Sequence, residues 1–248
     1  MKKIIIAFSV LICSQSLYSQ GWFDIGFKGG YGLNFLANKN FYNDRAFSPN
    51  ISFGYMYGGK IGINFNQSHA VTLDVTSSLF QQSYYYSLFN ADSITRSEYK
   101  RKIMFNSLNV LLMYRKASDG GYFEVGPQFS TLSRARGTDG FTQTANVDIS
   151  ENFVKSYYSA VMGFGGYLAG TDNFRVTLGF RFSYALNDVI SSEGRKTNFP
   201  SITQYESYKS SNPVSAMMII EMNYDVGYFT RSRCKKRKLN FLLFSKDK

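Results

Sequence analysis

Phe23-Asp24-Ile25-Gly26-Phe27-Lys28-Gly29-Gly30-Tyr31-Gly32-Leu33-Asn34-Phe35 alternates with a period of two. Apart from Gly29, every odd position is apolar or aromatic and every even position is small, polar or charged. Side chains alternate across a β-strand, so one face of this segment is greasy and the other is not. The segment from Phe174 to Asn187 repeats the pattern, with Phe174, Val176, Leu178, Phe180, Phe182, Tyr184 and Leu186 on one face. Arg175, Thr177, Gly179, Arg181 and Ser183 lie between them. These runs exceed the five or six residues of an ordinary soluble strand.

Eight such segments are predicted, at 22–36, 51–66, 69–88, 100–117, 121–136, 154–170, 173–189 and 214–230. The fourth and sixth alternate less cleanly, which a β-bulge in either would explain. Tight turns at Asn66-Gln67-Ser68, Ser118-Asp119-Gly120 and Gly170-Thr171-Asp172 alternate with long connections at 37–50, 89–99, 137–153 and 190–213. Short turns on one side and long loops on the other characterise outer-membrane barrels. An apolar outer face in lipid also requires the sheet to close, because every backbone group must pair within the protein. The expected fold is all-β: an eight-stranded antiparallel up-and-down transmembrane β-barrel in the cell outer membrane.

Composition agrees. Of 248 residues, 17% are aromatic and only 18% charged, against about a quarter in an ordinary soluble domain. A disordered chain would show the reverse balance. A soluble barrel with an inward apolar face would need a wet outer face dense in Lys and Glu. Here the polar face holds a sparse, balanced set: Asp24, Lys28, Lys60, Asp74, Glu124, Arg175, Arg181, Glu221 and Asp225. Eight strands enclose a space that side chains just fill, so a lumen charge network of Asp24, Lys28, Lys60, Asp74, Arg175, Arg181, Glu221 and Asp225 is expected in place of an open pore. Trp22-Phe23, Tyr84-Tyr85-Tyr86, Tyr157-Tyr158 and Tyr228-Phe229 are candidates for interfacial aromatic girdles.

The ends differ from the middle. Lys2-Lys3 followed by the apolar run Ile4–Ile12 has the layout of a signal peptide at 1–19, leaving a barrel domain at 20–230. One cysteine, Cys234, then remains, so no internal disulfide is expected. The last segment, 231–248, reads as a basic periplasmic tail with a charge of +7, out of +11 for the whole chain. Arg231, Arg233, Lys235, Lys236, Arg237 and Lys238 are followed by apolar Phe241, Leu242 and Phe244, a combination suited to docking on a partner.

No catalytic constellation emerges. His69 is the single histidine and lies in a turn, where a solvated residue is expected and not a general base. Asp139, Asp148 and Glu151 share a loop without calcium-loop spacing, and no cofactor or metal site is expected. Expected partners are outer-membrane lipid and periplasmic or outer-membrane proteins, with no nucleic acid and no small-molecule substrate.

The Lys-Lys signal, Gln20 as a mature start, and aromatic–glycine strands such as Gly26-Phe27-Lys28-Gly29-Gly30-Tyr31-Gly32 resemble the small outer-membrane barrels of Bacteroidetes, the PorT-like/OmpA-like β-barrel group. The resemblance spans the mature chain and lies in pattern, not in a diagnostic motif. It implies outer-membrane location and a role as anchor or scaffold of an envelope complex, some members of the group serving type IX secretion and gliding. The opposing expectation is a surface adhesion barrel acting through its long loops, with 190–213 as the contact.

Overall fold

The computed structural model describes residues 21–43, 47–89, 96–118, 120–171, 173–201 and 208–228. It is almost entirely antiparallel sheet. The strands are β1 (Trp22–Ala37), β2 (Phe47–Asn50), β3 (Ser52–Asn64), β4 (His69–Phe89), β5 (Arg96–Ala117), β6 (Gly121–Asp139), β7 (Thr144–Asp148), β8 (Ser156–Gly170), β9 (Phe174–Ala185) and β10 (Asn212–Tyr228). Eight of them close a ring in the order β1-β3-β4-β5-β6-β8-β9-β10, and β10 pairs back onto β1 with Lys28 opposite Glu221. The two short strands add to the long-loop end only, β2 on β4 and β7 on β6. Two five-residue helices, α1 (Lys39–Asn43) and α2 (Ser192–Lys196), lie in the loops.

The period-two pattern sets the facing. Phe27 is 55% exposed while its neighbour Lys28 is fully buried, although both stand on one strand. The exposed aromatic and aliphatic side chains of all eight ring strands form a continuous apolar belt. In water such a surface would drive aggregation; in a bilayer it is the matched face.

The irregularities are local. One extra residue, Leu168, bulges from β8, the sixth ring strand. The disturbance beside β5 comes from its partner: Ser133 of β6 is the extra residue between the pairs Asn106–Arg134 and Ser107–Leu132. β5 itself alternates regularly. Its pattern is hard to read because Leu111 and Met113 face inward and join Val161 in a small apolar layer inside the ring.

Three of the four aromatic girdle candidates need correction. Trp22 is buried, donates its indole N–H to Asp225 (3.1 Å) and lies under Arg175. Tyr84, Tyr86 and Tyr157 are also buried, leaving Tyr85 and Tyr158 on the outside. Neighbours on a strand point to opposite faces, so a run of adjacent aromatics cannot all reach the interface. Tyr228 ends β10, and Phe229 lies outside the described residues.

Candidate functional site

Three main layers fill the ring besides the small apolar one of Leu111, Met113 and Val161. Nearest the tight turns, ten charges meet. Lys28 donates to Asp74 (2.6 Å) and lies 3.0 Å from Glu221. Lys60 donates to Glu221 (2.8 Å) and lies 3.4 Å from Asp24. Arg175 reaches Asp225 at 2.5 Å and Asp24 at 3.7 Å. Arg181 reaches Glu124 at 2.5 Å and Asp74 at 3.1 Å. The structure thus places all eight sequence-named lumen residues inside the ring.

Two members escape the sequence-named set. Glu124 stands on the polar face but has no obvious partner in sequence. Arg115 sits beside Lys116 near the end of β5 and is absent from the expected network. It points inward instead, donates twice to Glu221 (both 2.8 Å), reaches Glu124 at 2.7 Å and stacks 4.1 Å over the Tyr122 ring. The signal that finds it is strict parity with Leu111 and Met113. With both included, five carboxylates (Asp24, Asp74, Glu124, Glu221, Asp225) face five cations (Lys28, Lys60, Arg115, Arg175, Arg181). The formal charge of the cluster is zero, which is what a space removed from water requires.

Glycine makes the room. A Cβ at Gly62 would strike the carboxylate of Asp24, and one at Gly163 would meet the side chain of Glu124 at 3.1 Å. These positions leave space for the carboxylates, so their absence of side chain is a packing requirement.

Above the charges lies a neutral polar layer, with Ser78, Ser107 and Asn109 hydrogen-bonded to one another. It borders a cavity of about 50 Å³. The Nη1 amino group of Arg181 and the amide oxygen of Asn34 have no protein partner there, and the volume admits a few waters. A second cavity, of about 20 Å³, lies by the turns beside Asn64 and Arg175.

The third layer is hydrocarbon. Phe80 and Phe105 stack at 4.5 Å, and Phe47, Phe153, Ile190 and Phe199 fold onto them from the loops. Pro200 accepts hydrogen bonds from Tyr84 (2.7 Å) and Arg101 (3.1 Å). Asp188 ties the last loop down, accepting from the backbone N–H of Ser211 and Ile190 and from the Tyr208 hydroxyl. Burial and the Asp188 carboxylate push the Tyr208 hydroxyl above its ordinary pKa. Ile190, Phe199 and Pro200 of the loop at 190–213 thus pack into the mouth, while Ser192, Glu193, Arg195 and Lys196 of the same loop stand exposed. The β6–β7 hairpin also projects, with Phe141 and Val147 open to solvent.

The remaining candidates scatter. His69 shares a hydrogen bond with the Tyr114 hydroxyl (2.6 Å) at an exposed position. Asp139 binds Tyr86 and Arg101, while Asp148 accepts from the backbone of Ser150. Among the described residues, no group of three possible metal ligands gathers. The docking-tail residues Arg231, Arg233, Lys235, Lys236, Arg237, Lys238, Phe241, Leu242 and Phe244 lie outside the described residues, as does the signal segment 1–19.

A closed ring with an apolar outside and an ion-paired inside defines a transmembrane β-barrel. The chain belongs to the outer membrane protein β-barrel domain family, which matches residues 14–191, and its location is the cell outer membrane. No curated protein sequence matches it. Among solved structures it is similar to Neisserial surface protein A, NspA (12% identity, TM-score 0.39, covering 80% of this chain and 95% of that one). It is also similar to OprG from Pseudomonas aeruginosa (11%, 0.38, 85% and 98%) and to Ail, the attachment invasion locus protein of Yersinia pestis (13%, 0.33, 81% and 98%).

Proposed function

We propose that this barrel is a non-conducting, non-catalytic anchor or scaffold subunit of a larger envelope complex. The observation that carries the proposal is the filled lumen: an ion-paired layer and an apolar cap block the ring in series. A barrel whose interior is occupied works through its surfaces. Short turns of such barrels face the periplasm, which supports a basic tail after β10 on that side. The resemblance to the Bacteroidetes PorT-like group makes type IX secretion and gliding the leading assignment for the complex.

The test removes 231–248 from the full chain in its native cells. The barrel should stay folded, shown by heat-modifiable migration, while a partner recovered with the intact chain in mild detergent is lost. Unchanged complex composition would end the scaffold assignment. Large, stable single-channel conductance would end the non-conducting one.

A second function, recognition at the cell surface, is favoured by the exposed Phe141 and Val147 on the β6–β7 hairpin. Replacing residues 140–147 with a short turn separates the two: loss of surface binding with the complex intact supports recognition.

A further inference from the structure

The strand lysines and arginines whose side chains are described divide by facing. Lys28, Lys60, Arg101, Arg115, Arg175 and Arg181 point into the ring, and Lys116 stands at the turn end. The remaining four, Lys100, Lys102, Arg134 and Arg136, stand together on the outward face of two adjacent strands. Register makes them neighbours: Met104 pairs with Arg136, Asn106 with Arg134, and Lys102 with Thr138. Lys100 lies 5.8 Å from the centre of the Tyr85 ring, on the same outward face.

Their height is set by the belt below. The outward residues of β5 run Tyr114, Leu112, Val110, Leu108, Asn106, Met104, then Lys102. The ten residues from Tyr114 to Met104, at about 3.3 Å each and tilted by about 40°, rise about 25 Å, the height of the hydrocarbon band of such barrels, and Lys102 stands just beyond it. On β6 the outward run starts at Phe123 and reaches Arg134 over a similar rise. The four cations thus sit where hydrocarbon gives way to headgroups, on one side of the rim only.

We propose that this patch binds the phosphate groups of the outer-leaflet glycolipid, lipid A, whose acyl chains lie against Leu108, Val110 and Phe129. The proposal goes beyond the anchoring role and rests on the long loops facing outward. Arginine pairs present a planar fork to phosphate oxygens, and Lys adds compact charges beside it. Glu98 and Asp148 share the face, and Asp148 lies 3.7 Å from Arg134. That ion pair is exposed on both sides, so a phosphate oxygen displaces it at little cost.

The experiment uses the full chain, purified and folded in neutral detergent, with fluorescent lipid A as the probe. Competitors are the same lipid stripped of phosphate and inorganic phosphate alone. Changing Lys100, Lys102, Arg134 and Arg136 together to Gln should weaken binding by about tenfold or more, given the contribution of each basic side chain near an anionic surface. Lys116→Gln, the same chemistry at the opposite rim, should leave it unchanged, and heat-modifiable migration checks that both variants fold. Equal binding of phosphate-free lipid, or no loss in the fourfold variant, overturns the site. Full displacement by inorganic phosphate makes it a free-phosphate site and overturns the lipid assignment. Protease cleavage of the 140–143 turn in intact cells supports the outward sidedness; a protected turn overturns the outer-leaflet source even where lipid A binds in detergent.

Discussion

The two halves of the lumen are equally buried and follow opposite rules. Toward the turns the filling is ionic, with Glu221 shared among Lys28, Lys60 and Arg115. Toward the loops it is hydrocarbon, with Phe105 packed among Phe80, Phe153 and Tyr157. Ion pairs need fixed geometry, which a ring of hydrogen-bonded strands supplies. Loops approaching from distant parts of the chain settle by non-directional burial instead. The ionic half should therefore fail as a unit, and the apolar half by local increments.

The sharpest test is Glu221→Ala. It takes one of two carboxylate partners from each of three buried cations, Lys28, Lys60 and Arg115, and leaves the cluster one positive charge in excess; breaking a buried pair costs about 3–5 kcal/mol. Urea unfolding of the reconstituted barrel should show at least this loss; a smaller loss would mean that the charges are hydrated and the ionic half is not coupled. Next, Ile190→Ala should cost about 2–3 kcal/mol, the low end for truncating a buried aliphatic side chain. The loss should be confined to the cap: hydrogen exchange should rise in 186–200 while the ring strands stay protected. Exchange rising through β1 and β10 would show the two halves to be one cooperative unit.

Met113→Leu keeps volume in the apolar layer within the ring and should cost less than about 1.5 kcal/mol. A larger loss would place Met113 under the constraints of Arg115, two residues away. The smallest effect is one of pH. The Tyr208 hydroxyl titrates above its ordinary pKa of 10.0 in the folded loop. Its contribution is therefore complete below pH 10 and declines as pH rises beyond that value. Exchange in 188–211 should quicken above pH 10, and Tyr208→Phe should remove that dependence.

The ring was legible because its periodicity is a direct record of facing. Phe23 to Phe35 and Phe174 to Leu186 state their two sides residue by residue, and the tight turns follow from Asn, Asp and Gly at the breaks. Legibility fails where the inside is apolar too. Leu111, Met113 and Val161 face inward, so composition no longer distinguishes the faces of β5 and β8. It fails again where partners are remote in sequence: Arg115 and Glu221 are 106 residues apart, and nothing local announces their pairing. The cap is the extreme case. Phe47, Phe153 and Phe199 belong to three different loops, and only the closed ring brings them over one mouth.

Glu221 also bears on how the ring is joined. It lies on the last strand, and its partner across the seam, Lys28, lies on the first. Slipping that seam by one residue would turn Glu221 out toward lipid. Slipping it by two would set Ile219 or Asn223 opposite Lys28 and leave carboxylate and ammonium apart in a buried interior. Backbone pairing alone distinguishes these alignments poorly, because each offers nearly the same ladder. The charges supply the discrimination: they act as a proofreader of closure, accepting the alignment in which the last strand neutralises cations that the earlier strands have already turned inward.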